Sequence, residues 1–566
     1  MPSATTATGQ DRWRPAQDNP NRRPAYPATA DPWNKAPARG SRYQTGPGAQ
    51  VPQVERGELA PVMSQEAGLP FALWQGLTAS DVEELLAPLE LPSGSPVLQS
   101  LWTKMLATDT DGDRDPRFTA LRVQALYKSG QTAKALQVAQ DASKNGASDP
   151  TLVTLRATLE IVTGNADAGC RSAKLAGRNK SKIAKALRGD LIVLIGYCAA
   201  LTGNKSAAGL AADLARDEGH RSKFTLAILE AIATGRESRS KLPRKVQDID
   251  YLLLKQAGFE QTGRLIERAT PALLAMLAFD RTLPAATRIA AAEAAAKRNV
   301  INPSQLVEVY RSLTGDGAAA GDEPGLKRVR LFQDAEYTRT PLRRTRIIRT
   351  LIDLARRDGL ALPVLIAVRP IVEEIRPAQE ISWFSFTAIE VLIASGDYRG
   401  ILPWVALAGS ADRVFDRSLD HWRMLADIAD PEMVGQSINF APLERMATTQ
   451  RLSDTALHRL TAVLDALDYN IPIPVWDIAN RAPQSTAGQL PPTGILTQLL
   501  DASKKKQAAR TALLALRTIG GADVSKTHTI ALGDAIRGLK RAGFVREAKR
   551  LAFEAIFPSW PRPRGF

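Results

Sequence analysis

Ala125-Leu-Tyr-Lys-Ser-Gly130-Gln-Thr-Ala-Lys-Ala135 returns in outline as Leu159-Glu-Ile-Val-Thr-Gly164-Asn-Ala-Asp-Ala-Gly169. It returns again as Leu201-Thr-Gly203-Asn-Lys-Ser-Ala-Ala208 and, late in the chain, as Leu539-Lys-Arg-Ala-Gly543-Phe-Val-Arg-Glu-Ala548, with a degenerate copy at Ala394-Ser-Gly396-Asp-Tyr-Arg-Gly400. In the four clear copies a glycine ends one apolar, helix-period segment, and a small residue follows five positions later. Glycine supplies the left-handed backbone of a tight helix–helix turn, and the small residue lets the second helix approach the first.

Working outward, Leu121, Ala125, Leu126, Ala133, Leu136 and Ala139 show the three- and four-residue apolar spacing of such a hairpin. The same spacing, with Gly, Pro or Asp at intervals, runs through most of the chain, and β-branched alternation hardly occurs. The pattern predicts an all-α chain. Hairpin territories fall near 71–106, 116–146, 150–178, 183–219, 222–280, 285–313, 324–359, 363–409, 415–465, 493–519 and 526–556. Residues 1–65 hold ten prolines and seven arginines with little aliphatic periodicity, so a disordered tail is expected there. The expected organisation is a first array over 66–314 and a central region over 324–470. A Pro-rich linker at 471–494, C-terminal hairpins at 495–556 and a short tail at 557–566 complete it.

The 34 residues from Gly130 to Gly164, with Tyr127, Gly130, Ala135, Ala142 and Pro150 in order, resemble the tetratricopeptide repeat. The likeness is clearest over 116–219; Pro150 comes a few residues late and the family's early Trp is missing. In looser outline Leu69 to Leu214 resembles uncharacterised proteobacterial helical-repeat proteins, many of them exported. The repeat resemblance implies an irregular, right-handed α-solenoid of stacked hairpins, elongated and curved, that binds partners on its concave face.

The 566 residues carry 74 Lys+Arg against 59 Asp+Glu, a net charge of +15. That length exceeds one compact core and calls for several domains or a repeat array. Two cysteines exclude a disulfide-rich scaffold or a cysteine-built cluster. No segment approaches the ~20 apolar residues that span a bilayer; Leu191–Leu201 reads as a buried helix, so the chain is not expected to be an integral membrane protein. The start shows no basic-then-apolar leader. Cys170 and Cys198, in neighbouring hairpins, are either buried thiols or a disulfide, and a disulfide belongs to an oxidising compartment. With the likeness to exported proteins, the pair leans the reading toward the periplasm; the missing leader leans it toward the cytoplasm.

Catalytic signatures are missing: no nucleophile elbow, phosphate loop or dinucleotide fingerprint appears, and no cofactor is expected. His220, His421, His458 and His528 lack metal-site spacing. Asp109 to Asp115 alternates carboxylates as a calcium loop does, but the glycine and glutamate positions of that loop hold Arg114 and Ala120. Its plainer role is a polar turn in which Asp115 caps the next helix. Two basic fields stand out: Arg171, Lys174, Arg178, Lys182 and Lys185 in one, and Arg339, Arg343, Arg344, Arg346 and Arg349 in the other. Both are candidates for an anionic surface or nucleic acid, against the plainer reading of solvated helix faces. Trp383, Phe384, Phe386, Trp404 and Trp422 are candidates for a partner groove, against the plainer reading of core packing. The tail motifs Arg12-Trp-Arg-Pro15 and Asp31-Pro-Trp-Asn-Lys35 are candidate docking segments, or plain linker. The leading expectation is a non-enzymatic scaffold or adaptor with a protein partner, in a cell-envelope assembly. A polyanion- or envelope-binding protein is the alternative, and an enzyme with its site in the C-terminal half comes third.

Overall fold

A computed structural model describes residues 69, 73–108, 115–144, 149–236, 240–258, 263–313, 323–411, 413–433, 438–449, 451–483, 488, 490–521 and 523–562. The tail 1–65, its two Trp motifs and the carboxylates of 109–114 lie outside them. Among the described residues the regular structure is entirely helical; the only β contact is an isolated parallel bridge between Val246 and Ala269.

The repeat begins as three hairpins: Pro116–Lys128 with Thr132–Lys144, Pro150–Val162 with Ala166–Gly177, and Lys185–Leu201 with Lys205–Asp217. Asp115 caps the first through Arg117 N–H, and Asp149 caps the third helix in the same way. Gly130 sits at φ 83° in the first turn, where a side chain would be strained. A Cβ there would also lie 2.6 Å from Val300 Cγ1. Gly169, five residues past its turn, lies so close to the preceding helix that a Cβ would come within 2.5 Å of Ile161. Successive first helices pack on one another and on Lys223–Thr234, while each second helix packs chiefly on the first helices to either side.

After residue 240 the chain departs from this stacking. Tyr127 O–H donates to Asp248, Gln131 to the Val300 carbonyl and Asn299 to the Ser93 carbonyl, so residues 246–302 lie back on the first hairpin. The hairpins between them, with the helix Asp248–Gln256, keep a separate small core around Leu191, Tyr197, Ala211 and Leu229. Everything else shares one continuous core, from Leu69 to Trp560.

A seam joins early and late helices of the array. The helix Val545–Ile556 packs on Pro96–Ala107, and Ala508–Ile519 packs on Ala79–Leu86. At the seam the buried Glu554 accepts from Ser95 Oγ at 2.5 Å and from Val97 N–H at 2.9 Å, so a carboxylate from the last helix caps an early one. Ala509 N–H donates to the Leu73 carbonyl, and Arg510 faces Asp81 at 3.3 Å.

By contacts, residues 60–566 form one compact unit. The helix Pro324–Tyr337 joins what precedes it through Arg328, which is buried and doubly bonded to Glu293. The segment 471–494 is no plain linker. It contains the helix Ile473–Arg481, whose Val475 and Ala479 are buried against Ala441–Thr448 and Asp454–Ala466. The C-terminal stretch 557–562 is docked rather than loose. Trp560 is buried and stacks on His421, His421 Nε2 donates to the Pro561 carbonyl at 2.9 Å, and Arg562 reaches the buried Glu390 at 3.0 Å.

Burial pushes Glu554 up to about 7, against the bonds from Ser95 and Val97 and the Arg550 charge, which favour its ionised form. From its ordinary 4.5 to about 7 the folded chain keeps a proton that the unfolded chain has released, so this group's contribution to stability falls as pH rises through that window. Glu554→Gln retains an acceptor for Val97 and a donor for Ser95. Thermal unfolding should show the variant matching the wild type near pH 4 and exceeding it at pH 8, by on the order of 3 kcal/mol. A difference that stays flat with pH would remove the seam carboxylate from this role.

Candidate binding surface

The helix Ala166–Gly177 is amphipathic: Ala173 and Ala176 are buried, and Arg171, Lys174 and Arg178 fall on the solvent side at three- and four-residue spacing. Lys182 follows in the short crossing and Lys185 opens the next helix, and both are exposed. None of these five cations pairs with a carboxylate among the described residues. Their neighbours differ: Lys180 is paired with Glu218 at 2.5 Å, and Arg188 donates to the carbonyls of Ser181 and Ile183. The field reaches Glu218, which Lys180, by hydrogen bond and by charge, then Arg188 and Lys185 by charge, hold below the usual carboxylate range.

Beneath this face Cys170 and Cys198 are joined in a disulfide, with Cα atoms 5.7 Å apart. It ties Ala166–Gly177 to Lys185–Leu201 and closes a loop of 28 residues that contains the whole basic crossing.

The second basic field is divided. Arg339, Arg343 and Arg346 are exposed. Arg344 is corrected: it is buried, donating to the Ala335 carbonyl at 2.8 Å and to Glu374 at 2.8 Å. Arg349 is half-buried, with its guanidinium over the Trp383 ring. Arg344 is thus a structural bond rather than part of a surface.

The aromatic groove is corrected as well. Phe384, Phe386, Trp404 and Trp422 are buried, and Trp383 is half-covered by Arg349. Phe384 meets Trp404 edge-on at 5.8 Å, and Phe386 meets Trp422 at 4.9 Å. Trp422 also meets Phe557, so this cluster seats the chain's own C-terminal stretch.

Buried titratable groups elsewhere are absorbed into packing. Burial pushes Asp248 up to about 6, opposed by the bond from Tyr127. Asp250 accepts from Thr225 Oγ1 at 2.5 Å and from Gln247 N–H, closing a helix cap. Burial pulls Lys549 down to about 8; its ammonium donates to the Asp430 carbonyl and Tyr469 Oη. His421 is pulled down to about 4 by burial. His458 bonds to the carbonyls that end the helix Ile473–Arg481, and His528 accepts from Ile530 N–H. His220 Nδ1 meets Asp190 at 2.9 Å. A cavity of about 360 Å³ between Thr493–Lys504 and Thr529–Arg541 is lined by Leu496, Leu500, Arg537 and Arg541, with Arg537 already bonded to Asp534 and Asp465. Among the described residues no three His, Cys, Asp or Glu converge as metal ligands, and no helix is long and apolar enough to cross a membrane.

Comparison with known protein families, characterised proteins and solved structures returns no match to this chain.

Closing a 28-residue loop removes unfolded-chain entropy worth about 3.5 kcal/mol. The double variant Cys170→Ser, Cys198→Ser should therefore unfold at lower denaturant by about 2–4 kcal/mol. Hydrogen exchange should quicken first in Ala166–Leu201. Unchanged stability with free thiols in the purified protein would overturn the cross-link.

Proposed function

We propose that this chain is a non-enzymatic scaffold of tetratricopeptide-like hairpins that gathers other molecules, docking by the basic face of its second and third hairpins on a polyanionic surface. The carrying observation is the group of five exposed cations, Arg171, Lys174, Arg178, Lys182 and Lys185, with no described carboxylate partner. Two neighbouring cations are instead paired: Arg216 with Asp213 and Glu230, and Lys180 with Glu218. A surplus of unpaired charge on a rigid face attracts polyanions by steering and counterion release. The disulfide supports an oxidising compartment, in keeping with a periplasmic envelope assembly. The non-enzymatic reading draws on the buried Asp248, Glu554, Lys549 and His421, whose hydrogen bonds go to helix ends, carbonyls and a tyrosine hydroxyl rather than into an open cleft.

Duplex DNA serves as a generic polyanion probe. Five contacting cations predict a slope of log K against log salt near about −4.5, so that doubling the salt weakens binding about 20-fold. Arg171→Glu, Lys174→Glu and Arg178→Glu together should reduce the slope to about −2, with the melting temperature unchanged because all three side chains are exposed. Arg344→Glu should instead unfold the protein. A salt slope that survives the triple reversal would rule this face out.

A further inference from the structure

The basic face carries something a purely electrostatic contact does not use. Among the described residues eleven large apolar side chains are exposed, and four of them, Leu175, Leu201, Leu210 and Leu214, fall within one stretch of about forty residues. Leu175 is 50% exposed and shares its helix face with Arg171, Lys174 and Arg178. Leu210 and Leu214, 59% and 44% exposed, lie one turn apart on Lys205–Asp217. The two helices are the second members of consecutive hairpins and flank Lys185–Leu201: Gly177 packs on Ile195 and Ala211 packs on Gly196. Their outer sides therefore repeat along one side of the array. Two acids on that side are bonded to cations, Asp213 to Arg216 and Glu218 to Lys180, and two more, Asp167 and Asp217, are exposed there.

Leucines projecting among unpaired Lys and Arg are the side-chain chemistry of a surface that lies on an anionic bilayer. The cations meet headgroups, and the leucines enter the boundary with the acyl chains. A nucleic acid would satisfy the cations and leave the leucines in water. We infer that the partner of this face is an anionic phospholipid membrane, contacted peripherally by Ala166–Gly177 and Lys205–Asp217. This inference rests on the basic-face reading above and adds the apolar half of the contact. The disulfide ties the first of these helices to Lys185–Leu201, on which both helices pack.

The test is flotation of the full-length, oxidised protein with vesicles of phosphatidylcholine, with and without phosphatidylglycerol. Binding is expected only to the vesicles containing phosphatidylglycerol. Each cation removed should lower partitioning about fivefold. Replacing Leu175, Leu210 and Leu214 with Ser should lower it at least tenfold. The leucine variant should keep the wild-type DNA salt slope and melting temperature, since the substituted side chains are exposed. Anionic vesicles that fail to bind while the DNA slope persists would overturn the membrane inference and leave the basic-face reading standing. Loss of both interactions in wild-type protein would overturn both. A leucine variant that floats like wild type would overturn the inference, since charge alone would then explain the contact.

Discussion

A helical hairpin buries its apolar stripe only against a neighbour, so a row of hairpins leaves an unburied stripe at each end. Repeat proteins usually cover those ends with polar caps. Here the ends cover each other: Leu73 and Trp74 share a core with Phe553 and Trp560, and Glu554 supplies the capping carboxylate for Pro96–Ala107. The arrangement makes Ser95, Glu554 and the helices bearing them interdependent. Loss of the last hairpin would expose the first, and the main core behaves as one unit despite its length. A buried carboxylate is a costly closing device, and the two donors that meet it, Ser95 Oγ and Val97 N–H, offset part of that cost.

The local grammar of this fold is written plainly in the sequence. Gly130, Gly164, Gly203, Gly396 and Gly543 stand at helix–helix turns with positive φ, and Asp115 caps its helix as the turn pattern implies. These features depend on a few adjacent residues. The return contacts do not: Tyr127 meets Asp248 across 121 residues, and Ser95 meets Glu554 across 459. Periodicity marks which stripe of a helix is buried but not against what, so an array that turns back reads like one that runs on. The Pro-rich segment 471–494 misleads for a related reason. Pro472 and Pro474 lie at the start of Ile473–Arg481, where a missing N–H costs nothing, so proline there opens a helix rather than breaking one.

Side-chain roles were legible to the degree that they follow from one helix. Arg171, Lys174 and Arg178 recur at the spacing of one face whose opposite side is alanine, and they are exposed. Arg343, Arg344 and Arg346 sit in one basic run, yet Arg344 turns inward because the same helix buries Ile348, Leu351 and Ile352 along its stripe. Four residues before Ile348, Arg344 continues that stripe, and its guanidinium bonds to the carbonyl of Ala335. The aromatics between 383 and 422 were open to two readings because large rings are at home in cores and in grooves alike. In the fold Phe384, Phe386, Trp404 and Trp422 are buried, with Phe557 against Trp422 and Trp560 against the neighbouring His421.

Charge, leucines and cross-link meet at one place in the chain, and their combination says more than any of them alone. Cations on a flexible segment adjust to whatever anion approaches and so discriminate little. Fixed on Ala166–Gly177, with Cys170 tied to Cys198 beneath, their spacing becomes a property of the fold. The neighbouring leucines, left exposed, forgo a burial gain on the order of 1 kcal/mol or more per side chain. Many leucines of the array, Leu98, Leu152, Leu191 and Leu273 among them, are fully enclosed, while others such as Leu342, Leu402 and Leu500 are exposed singly elsewhere. On the membrane reading, Leu175, Leu210 and Leu214 would find an apolar phase in the acyl boundary, and the cations beside them would meet its anionic headgroups.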